Sequence, residues 1–261
     1  ATPLYSSAAS DVYKRTILTD ADGWILDAGG SDGFLDKAGR VALMPGACWN
    51  ESQVGTNAIG TAIAEGRAVE VRGGEHYAAA HRILNCSASP IFDPYGQLVG
   101  VMDISGDASV AQVHALGLAQ LAVANIEHRY FDDGLPDCEL LRVHRNRALL
   151  GSAREGLLAF RNGRLVAANR AGLDLFGLER GELGRTSYES LFGDALSKLR
   201  DDGVLLDRHG RALFGHVDAP THARRARQPS AITVSAASAA DTPIFDAAQD
   251  AELARAQRVL D

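Results

Sequence analysis

Cysteine and long apolar runs are both scarce in this sequence. The three cysteines, Cys48, Cys86 and Cys138, are an odd number at wide spacing, which is typical of reduced thiols in a cytoplasmic protein rather than of a disulfide framework. The longest apolar stretch, residues 115–126, is interrupted by Gln120 and Asn125 and is far shorter than the roughly 20 residues that cross a bilayer. The sequence therefore predicts neither an extracellular disulfide scaffold nor a membrane protein.

An excess of positive charge and an export signal are also lacking. The formal net charge is −7 at pH 7, so the surface repels phosphate backbones and direct contact with nucleic acid is not expected. The first five residues contain neither a charged n-region nor an apolar h-region. A basic cluster at residues 224–227 lies in a Pro-, Ala- and Ser-rich stretch, which is typical of a solvated linker. We expect a cytoplasmic location.

Three predicted hairpins recur along the chain. Each consists of two short β-type runs separated by a turn rich in Asp, Asn or Gly. The runs are residues 15–19 and 24–26, 89–92 and 98–104, and 156–160 and 165–168. Because helical segments lie between the hairpins, the pattern predicts an α+β fold with antiparallel sheets. A length of 261 residues, 46% of them hydrophobic, is enough for two domains, each with its own core.

Two helices are predicted in the first half. Residues 57–65 form a helix that Asn57 or Thr56 can cap and that Gly66 can end. Residues 109–131 form a longer helix with an apolar stripe at every fourth position, made of Leu118, Ala122, Ile126 and Tyr130. We expect this stripe to pack on the sheet of the first domain. A dimer interface is the alternative.

Gly134 and Pro136 break the long helix and mark the boundary between the domains. Helix is expected to resume near Glu139. The chain then divides into a first domain over residues 1–133, a connector over 134–150 and a second domain over 151–218. Residues 219–243 lack periodicity and are predicted to be a linker, and residues 244–260 are predicted to form a final helix.

Six blocks of the first domain resemble the GAF domain of acetoin-catabolism-type, sigma-54-dependent bacterial activators of the Fis family. They are Trp49-Asn50-Glu51, Gly55-Thr56-Asn57-Ala58-Ile59-Gly60-Thr61-Ala62, Glu75-His76-Tyr77, His81, Cys86-Ser87-Ala88-Ser89-Pro90-Ile91 and Gly100-Val101-Met102-Asp103-Ile104-Ser105-Gly106. The blocks occur in the family's order within residues 12–131. The resemblance is therefore far more specific than any single short motif.

The second domain resembles a PAS fold. The matching segments are residues 163–171, 175–177 and 182–184, in which a strand ends at Asn169, a residue that can cap the next helix. Residues 250–261 resemble the helix that precedes the phosphate-binding loop of the activators' AAA+ ATPase domain. No Gly-x-x-x-x-Gly-Lys-Ser/Thr motif occurs in the sequence. The resemblance thus assigns ATP hydrolysis, contact with sigma-54 RNA polymerase and DNA binding to domains that this sequence does not contain.

A sensor domain needs a closed pocket with apolar walls and a few polar groups that orient the ligand. We expect Trp49 and Tyr77 to supply the walls and the neighbouring polar side chains to bind a hydroxyl or carbonyl group. The candidate ligand-binding residues are Trp49, Glu51, His76, Tyr77, His81, Cys86, Ser87, Ser89 and Asp103. Structural interpretations stay open, since Glu51 can tie its loop to the next helix, Ser87 and Ser89 can share one face of a strand, and Asp103 can lie at a sheet edge.

The histidines of the first domain and the three cysteines suggest three other functions. His76, His81 and Cys86 are of the types that bind zinc or iron, but their spacing matches no compact zinc motif, and neither a metal nor another cofactor is predicted. Cys48 and Cys86 could form a redox pair. A class of free methionine sulfoxide reductase uses three cysteines on the GAF fold, but Cys138 is remote in sequence from the other two, and we expect no enzymatic activity.

The resemblance implies the effector-sensing regulatory region of a transcriptional activator. Its first domain would bind a small neutral metabolite, such as a ketone, diol or alcohol, and would control a C-terminal ATPase. A homodimer is expected through helices near residues 118–130 and 139–150. The PAS-like domain is expected to be a dimerising spacer, with a second ligand site as the alternative. Effector binding is expected to move or order the helix of residues 109–131.

Overall fold

The computed structural model describes residues 14–30 and 39–218, which form two five-stranded antiparallel sheets with flanking helices. This architecture confirms the predicted α+β class and the three hairpins. The predicted linker over residues 219–243 and the predicted ATPase segment over 244–261 lie outside the described residues. Within the described ranges, every helix is too short or too polar to span a membrane.

The first sheet has the strand order β2-β1-β5-β4-β3. Its strands are β1 (Lys14–Asp20), β2 (Ile25–Gly30), β3 (Val69–Arg72), β4 (Leu84–Phe92) and β5 (Leu98–Asp107). Its helices are α1 (Glu51–Val54), α2 (Ala58–Glu65) and α3 (Ala115–Arg129). The turns of the two hairpins contain Gly23 and Gly96 at φ +88° and +85°, a conformation that glycine adopts without strain.

The cap residues of α2 are those predicted. Asn57 Oδ1 accepts a hydrogen bond from the backbone N–H of Gly60 at 2.9 Å, and Gly66 ends the helix at φ +63°. The amide of Asn57 also donates to the carbonyl oxygens of Trp49 at 3.0 Å and Gly55 at 2.8 Å. One asparagine therefore starts the helix and positions the loop that carries Trp49.

The helix α3 is shorter than predicted, and its buried face differs from the predicted one. The residues that pack on β4 and β5 are Ala115, Ala119, Val123 and Glu127. Leu118 and Tyr130 are 48% and 44% exposed, so the expectation that their stripe packs on the sheet is wrong. The predicted and the observed stripe have the same four-residue spacing, so periodicity alone does not choose between them. The observed stripe contains small residues, which allow the helix to approach the sheet more closely.

The second sheet has the strand order β8-β7-β6-β10-β9. Its strands are β6 (Glu139–His144), β7 (Gly156–Arg161), β8 (Arg164–Ala168), β9 (Val204–Leu206) and β10 (Ala212–Asp218). Its helices are α4 (Arg170–Phe176), α5 (Tyr188–Leu191) and α6 (Leu196–Asp202). Asn169 caps α4 through a 2.8 Å hydrogen bond from the backbone N–H of Gly172, as expected.

The prediction that helix resumes near Glu139 is wrong, because residues 139–144 form β6, the central strand of the second sheet. Both faces of this strand are covered. Leu141 and Val143 lie in the core beneath the helices, and Leu140 lies in a second core with Phe131 and Cys138. A short run that is apolar on both faces cannot be distinguished from a buried helix by periodicity alone.

Candidate functional site

Side chains on β4 and β5 divide between two faces of the first sheet. Cys86 and Ala88 belong to the core that also contains Trp49, whereas Ser89 lies against α3. Residues that pair across an antiparallel ladder point to the same face. Because Ser105 pairs with Cys86 and Asp103 with Ala88, both face the same core.

Ser105 joins Cys86 and Asp103 in a buried polar group. Its hydroxyl oxygen lies 3.0 Å from Cys86 Sγ and 2.5 Å from Asp103 Oδ2. Burial raises the pKa of Asp103 to about 7 and, together with the charge of Asp103, raises the pKa of the Cys86 thiol well above its ordinary value. At neutral pH the thiol is protonated, and the carboxyl group can either donate or accept a hydrogen bond.

An aromatic cluster lies in the loops before and after β3. Trp49 is 2% exposed and stacks on His81 with 4.5 Å between ring centroids, and the His76 ring meets His81 edge-on at 6.3 Å. Desolvation lowers the pKa of both histidines, so both are neutral at pH 7. His76 Nδ1 lies 3.1 Å from the carbonyl oxygen of Gly73, which requires a proton on Nδ1 and makes Nε2 an acceptor.

Five buried side-chain polar atoms of the first domain have no hydrogen-bond partner within the described residues. One is Gln112 Oε1, just before α3, and the other four form a set: Arg15 Nε, His76 Nε2, His81 Nδ1 and Asp103 Oδ1. Arg15 pairs with Ser105 across the ladder and so lies on the same face of the sheet as Asp103. Each buried polar atom without a partner costs about 1–3 kcal/mol, and such groups are rare in folded proteins. The set is therefore a candidate ligand site that includes both donors and acceptors.

The other candidate residues lie elsewhere. Tyr77 is 78% exposed and does not form a wall of this core. Glu51 accepts a hydrogen bond from Thr61 Oγ1 and so ties α1 to α2. This is the structural role that the sequence leaves open for Glu51. Ser87 and Ser89 share a face, as expected, but it is the face opposite Asp103 because side chains alternate along a strand. Asp103 lies on the interior strand β5 rather than at a sheet edge.

Sequence reasoning missed Arg15 and Ser105 as site residues. Ser105 stands two positions after Asp103 in the same β-type run, so alternation alone places the two side chains on one face. Arg15 also starts a β-type run whose next alternate residue, Ile17, is fully buried. A charged residue in phase with buried apolar positions is the signal that could have identified it.

Ser89 lines a cavity of about 350 Å³ where the two domains meet. Glu127 of α3 also lines it, and its carboxylate accepts a hydrogen bond from the backbone N–H of Phe92 at 3.0 Å. Arg180 of the second domain lies 3.5 Å over the Phe92 ring and 3.9 Å from Glu127 Oε1. Burial raises the pKa of Glu127. This carboxylate therefore connects the end of β4 with the second domain.

The geometry bears on the metal and thiol hypotheses too. Within residues 14–30 and 39–218, no group of three or more His, Cys, Asp or Glu side chains is arranged to hold a metal ion. All three cysteines are free thiols. Cys86 lies in the core of the first domain and Cys138 in the separate core beside β6 and β7. A protonated, buried thiol is a poor nucleophile, so this arrangement does not favour reductase chemistry.

Comparison with known proteins agrees with the two-domain architecture. Residues 2–128 match the family model described as "MimR, N-terminal domain", and residues 144–214 match a PAS domain. The acetoin catabolism regulatory protein of Cupriavidus necator is 35% identical over an alignment that is 285 positions long, gaps included, and that covers 99% of this chain. This chain is related to the acetoin-catabolism and MimR type of transcriptional activator.

Two further relatives of this activator type each match a little under half of this chain. The acetoin dehydrogenase operon transcriptional activator AcoR of Bacillus subtilis is 44% identical over 112 residues, 43% of this chain and 18% of that protein. The propane 2-monooxygenase operon transcriptional activator MimR of Mycolicibacterium smegmatis is 36% identical over 140 residues, 49% of this chain and 24% of that protein. The chain spans 41% of the Cupriavidus protein, so it is comparable with the sensory region of such activators rather than with their full length.

Among solved structures, a chain in the crystal structure of the E. coli DhaR(N)–DhaL complex is similar over 80% of both chains, with 14% sequence identity and a TM-score of 0.45.

Proposed function

We propose that this chain is the effector-sensing region of a sigma-54-dependent transcriptional activator. In this proposal the first domain binds a small neutral metabolite of the ketone, diol or alcohol type, and binding controls an ATPase domain further along the full protein. The observation that carries the proposal is the set of buried polar atoms without partners at Arg15, His76, His81 and Asp103. The kinship with regulators of acetoin and propane metabolism agrees with ligands of this class.

A hydroxyl or carbonyl compound satisfies the chemistry of these atoms. A ligand hydroxyl can donate to His76 Nε2, and its oxygen, or a carbonyl oxygen, can accept from Arg15 Nε or from a protonated Asp103. Both imidazoles are neutral, so no anionic group on the ligand is needed to compensate them. The buried Trp49 supplies apolar contact. A micromolar ligand needs about −8 kcal/mol, which a few buried carbons and two or three hydrogen bonds can provide.

The proposed set of ligand-contacting residues differs from the set predicted from the sequence, because four residues are removed and two are added. We propose contacts from Trp49, His76, His81, Cys86 and Asp103, together with Arg15 and Ser105. Glu51, Tyr77, Ser87 and Ser89 are left out, because one is tied to α2, one is exposed and two lie on the opposite face of the sheet.

A calorimetric titration with small ketones, diols and secondary alcohols tests this site. For the compound that binds best, Asp103→Asn should weaken affinity at least about tenfold, or 1.4 kcal/mol, because it changes a buried hydrogen-bonding group. Ser89→Ala is the matched control on the opposite face and should leave affinity within about twofold. A uniformly flat response to the whole panel, or full affinity in Asp103→Asn, would overturn the assignment.

We also propose how the regions are organised. Residues 1–133 form the sensor domain, and residues 151–218, with β6 from the segment over 134–150, form the PAS domain. Residues 219–243 act as a linker, and residues 244–261 begin the ATPase domain. A homodimer forms through the exposed face of α3, which presents Leu118 and Leu121. Residues 139–144 do not contribute a helix to that dimer, because β6 is paired along both edges.

The proposed route of the signal is α3. A ligand shifts a conformational equilibrium only through its different affinities for the two states, so some element must touch both the sensor core and the rest of the protein. The helix α3 packs on β4 and β5, which carry Cys86 and Asp103, and its end reaches the second domain through Glu127. Effector binding would move this helix against the sheet.

A further inference from the structure

The second domain contains a cavity of about 550 Å³ with aromatic walls. Phe160 of β7 and Phe192 are buried at its base, and Tyr188 of α5 is half-buried beside them. The Tyr188 and Phe192 ring centroids are 4.7 Å apart, and Phe160 meets Tyr188 edge-on at 5.4 Å. The cavity thus opens onto a cluster of three aromatic rings.

Every charged residue that lines this cavity is acidic. The carboxylates are Glu139, Glu189 and Asp194. Glu139 and Asp194 have cationic neighbours at the surface, Arg200 at 2.5 Å and Lys198 at 2.9 Å, and exposed pairs of this kind are weak. Glu189 has no cation within ion-pair distance among the described residues.

The acidic residues of the cavity act electrostatically on Tyr188 of the aromatic cluster. Burial, and then the charges of Asp194, Glu139 and Glu189, raise the pKa of Tyr188 to about 12. All three carboxylates line the same cavity as the phenol ring. The phenol donates a hydrogen bond to the backbone oxygen of Asp194 at 3.0 Å, which holds the ring in place beside the carboxylates.

We propose that this cavity binds an organic ammonium ion against the Tyr188 and Phe192 rings, with Glu189 as its counter-ion. Aromatic faces attract ammonium groups through their quadrupoles, and the attraction grows when the cation is partly desolvated in a cavity. An anionic ligand would meet three carboxylates at close range. A metal ion would lack ligands, since no metal-binding group of three side chains exists in the described part of the chain.

Choline and 3,3-dimethylbutan-1-ol provide a direct test with the 261-residue protein. The two probes have the same shape, and only choline carries a charge. In an NMR titration, choline should shift the resonances of Tyr188, Glu189 and Phe192, with a dissociation constant of about 1 mM. The neutral isostere should bind at least about fivefold more weakly. Equal affinity for the two probes, or no shift at these residues with choline or n-butylammonium, would overturn the proposal.

Glu189→Gln removes the unpaired carboxylate without breaking a structural contact. It should weaken choline binding at least about fivefold and leave the neutral isostere unaffected. Asp201→Asn on α6 is the matched control, because it makes the same change of charge at an exposed residue that does not line the cavity. The counter-ion role of Glu189 is refuted if its variant binds choline as tightly as the Asp201 variant does.

Discussion

His128 Nε2, near the end of α3, lies 2.8 Å from Oε1 of the fully buried Glu155 in the second domain. The same carboxylate accepts hydrogen bonds from Arg142 at 2.8 Å and from the backbone N–H of Gly151 at 2.6 Å. Burial alone would raise the pKa of Glu155, but the hydrogen bonds from Gly151, His128 and Arg142 outweigh it and lower that pKa. Glu155 therefore anchors the end of the sensor helix to the second domain as a carboxylate.

Glu155→Gln should destabilise the protein by about 2–4 kcal/mol, because it leaves the charge of Arg142 buried with one partner fewer. Urea unfolding at neutral pH measures this free energy. The exposed Arg170–Asp174 pair supplies the control, and Asp174→Asn should cost less than about 0.5 kcal/mol. The pKa of Glu155 is lowered on folding, so its contribution exists above the unfolded-state pKa and is lost as pH falls through the folded-state pKa. A similar loss in both variants would contradict the anchoring role.

Asp103→Asn should change how stability depends on pH. The folded-state pKa of about 7 exceeds the ordinary 3.8, so folding favours the protonated carboxyl. Its stabilising effect is complete below the ordinary pKa and is lost as pH rises toward 7. Relative to the parent, the variant should therefore gain stability between about pH 4 and pH 7, by at most about 4 kcal/mol. Cys86, Ser105, His76 and His81 are present in both proteins, so the difference isolates Asp103.

Unfolding curves of the parent and the Asp103 variant at several pH values check this result. Parallel pH profiles would show that Asp103 ionises in the folded protein as it does in an unfolded chain.

The three thiols should react at different rates. Cys48 is partly exposed, whereas Cys86 and Cys138 are buried, and burial raises the pKa of Cys86. Since the thiolate is the reactive form, a colorimetric disulfide reagent should modify one thiol rapidly in the native protein and all three after unfolding. Cys48→Ser should abolish the rapid phase. Rapid modification of two thiols in the native protein would mean that a second cysteine is accessible.

The proposed dimer should depend on the exposed face of α3. The double variant Leu118→Glu and Leu121→Glu should sediment as a 27.6 kDa monomer where the parent sediments as a dimer, because like charges would then meet across an isologous contact. Leu26→Glu changes another exposed leucine, on β2, and should remain dimeric. A parent that is monomeric at high concentration would exclude the dimer for this chain.

Glu127→Ala should separate effector binding from its effect on the second domain. In the parent, a bound effector should alter hydrogen exchange of the amides in α4, since Glu127 connects the two domains beside Arg180. In the variant this change should disappear, while affinity stays within about tenfold. Hydrogen exchange measured by mass spectrometry, with and without effector, tests this prediction in both proteins. An unchanged exchange response in the variant would show that the signal takes another path.

Local sequence patterns determined the hairpins and the caps of the helices. Gly23, Gly96 and Gly163 stand where the chain turns with positive φ, and few other residues adopt that conformation without cost. Asn57 and Asn169 start α2 and α4 because their side chains replace the hydrogen bonds that the first turns of a helix lack. These features depend on residues within a few positions of one another, so the order of residues suffices to predict them.

Tertiary structure decided which faces are buried and which side chains meet. The four-residue spacing of α3 fits two stripes, and only contact with the sheet selected Ala119 and Val123 over Leu118. The apolar run at β6 became a strand because β7 and β10 pair with it on either side. Likewise, the ladder placed Cys86 and Ser105 beside Asp103 and turned Ser89 toward α3. Pairing across strands that are distant in sequence is a property of the whole fold, because each register depends on cores that form only when all layers are present.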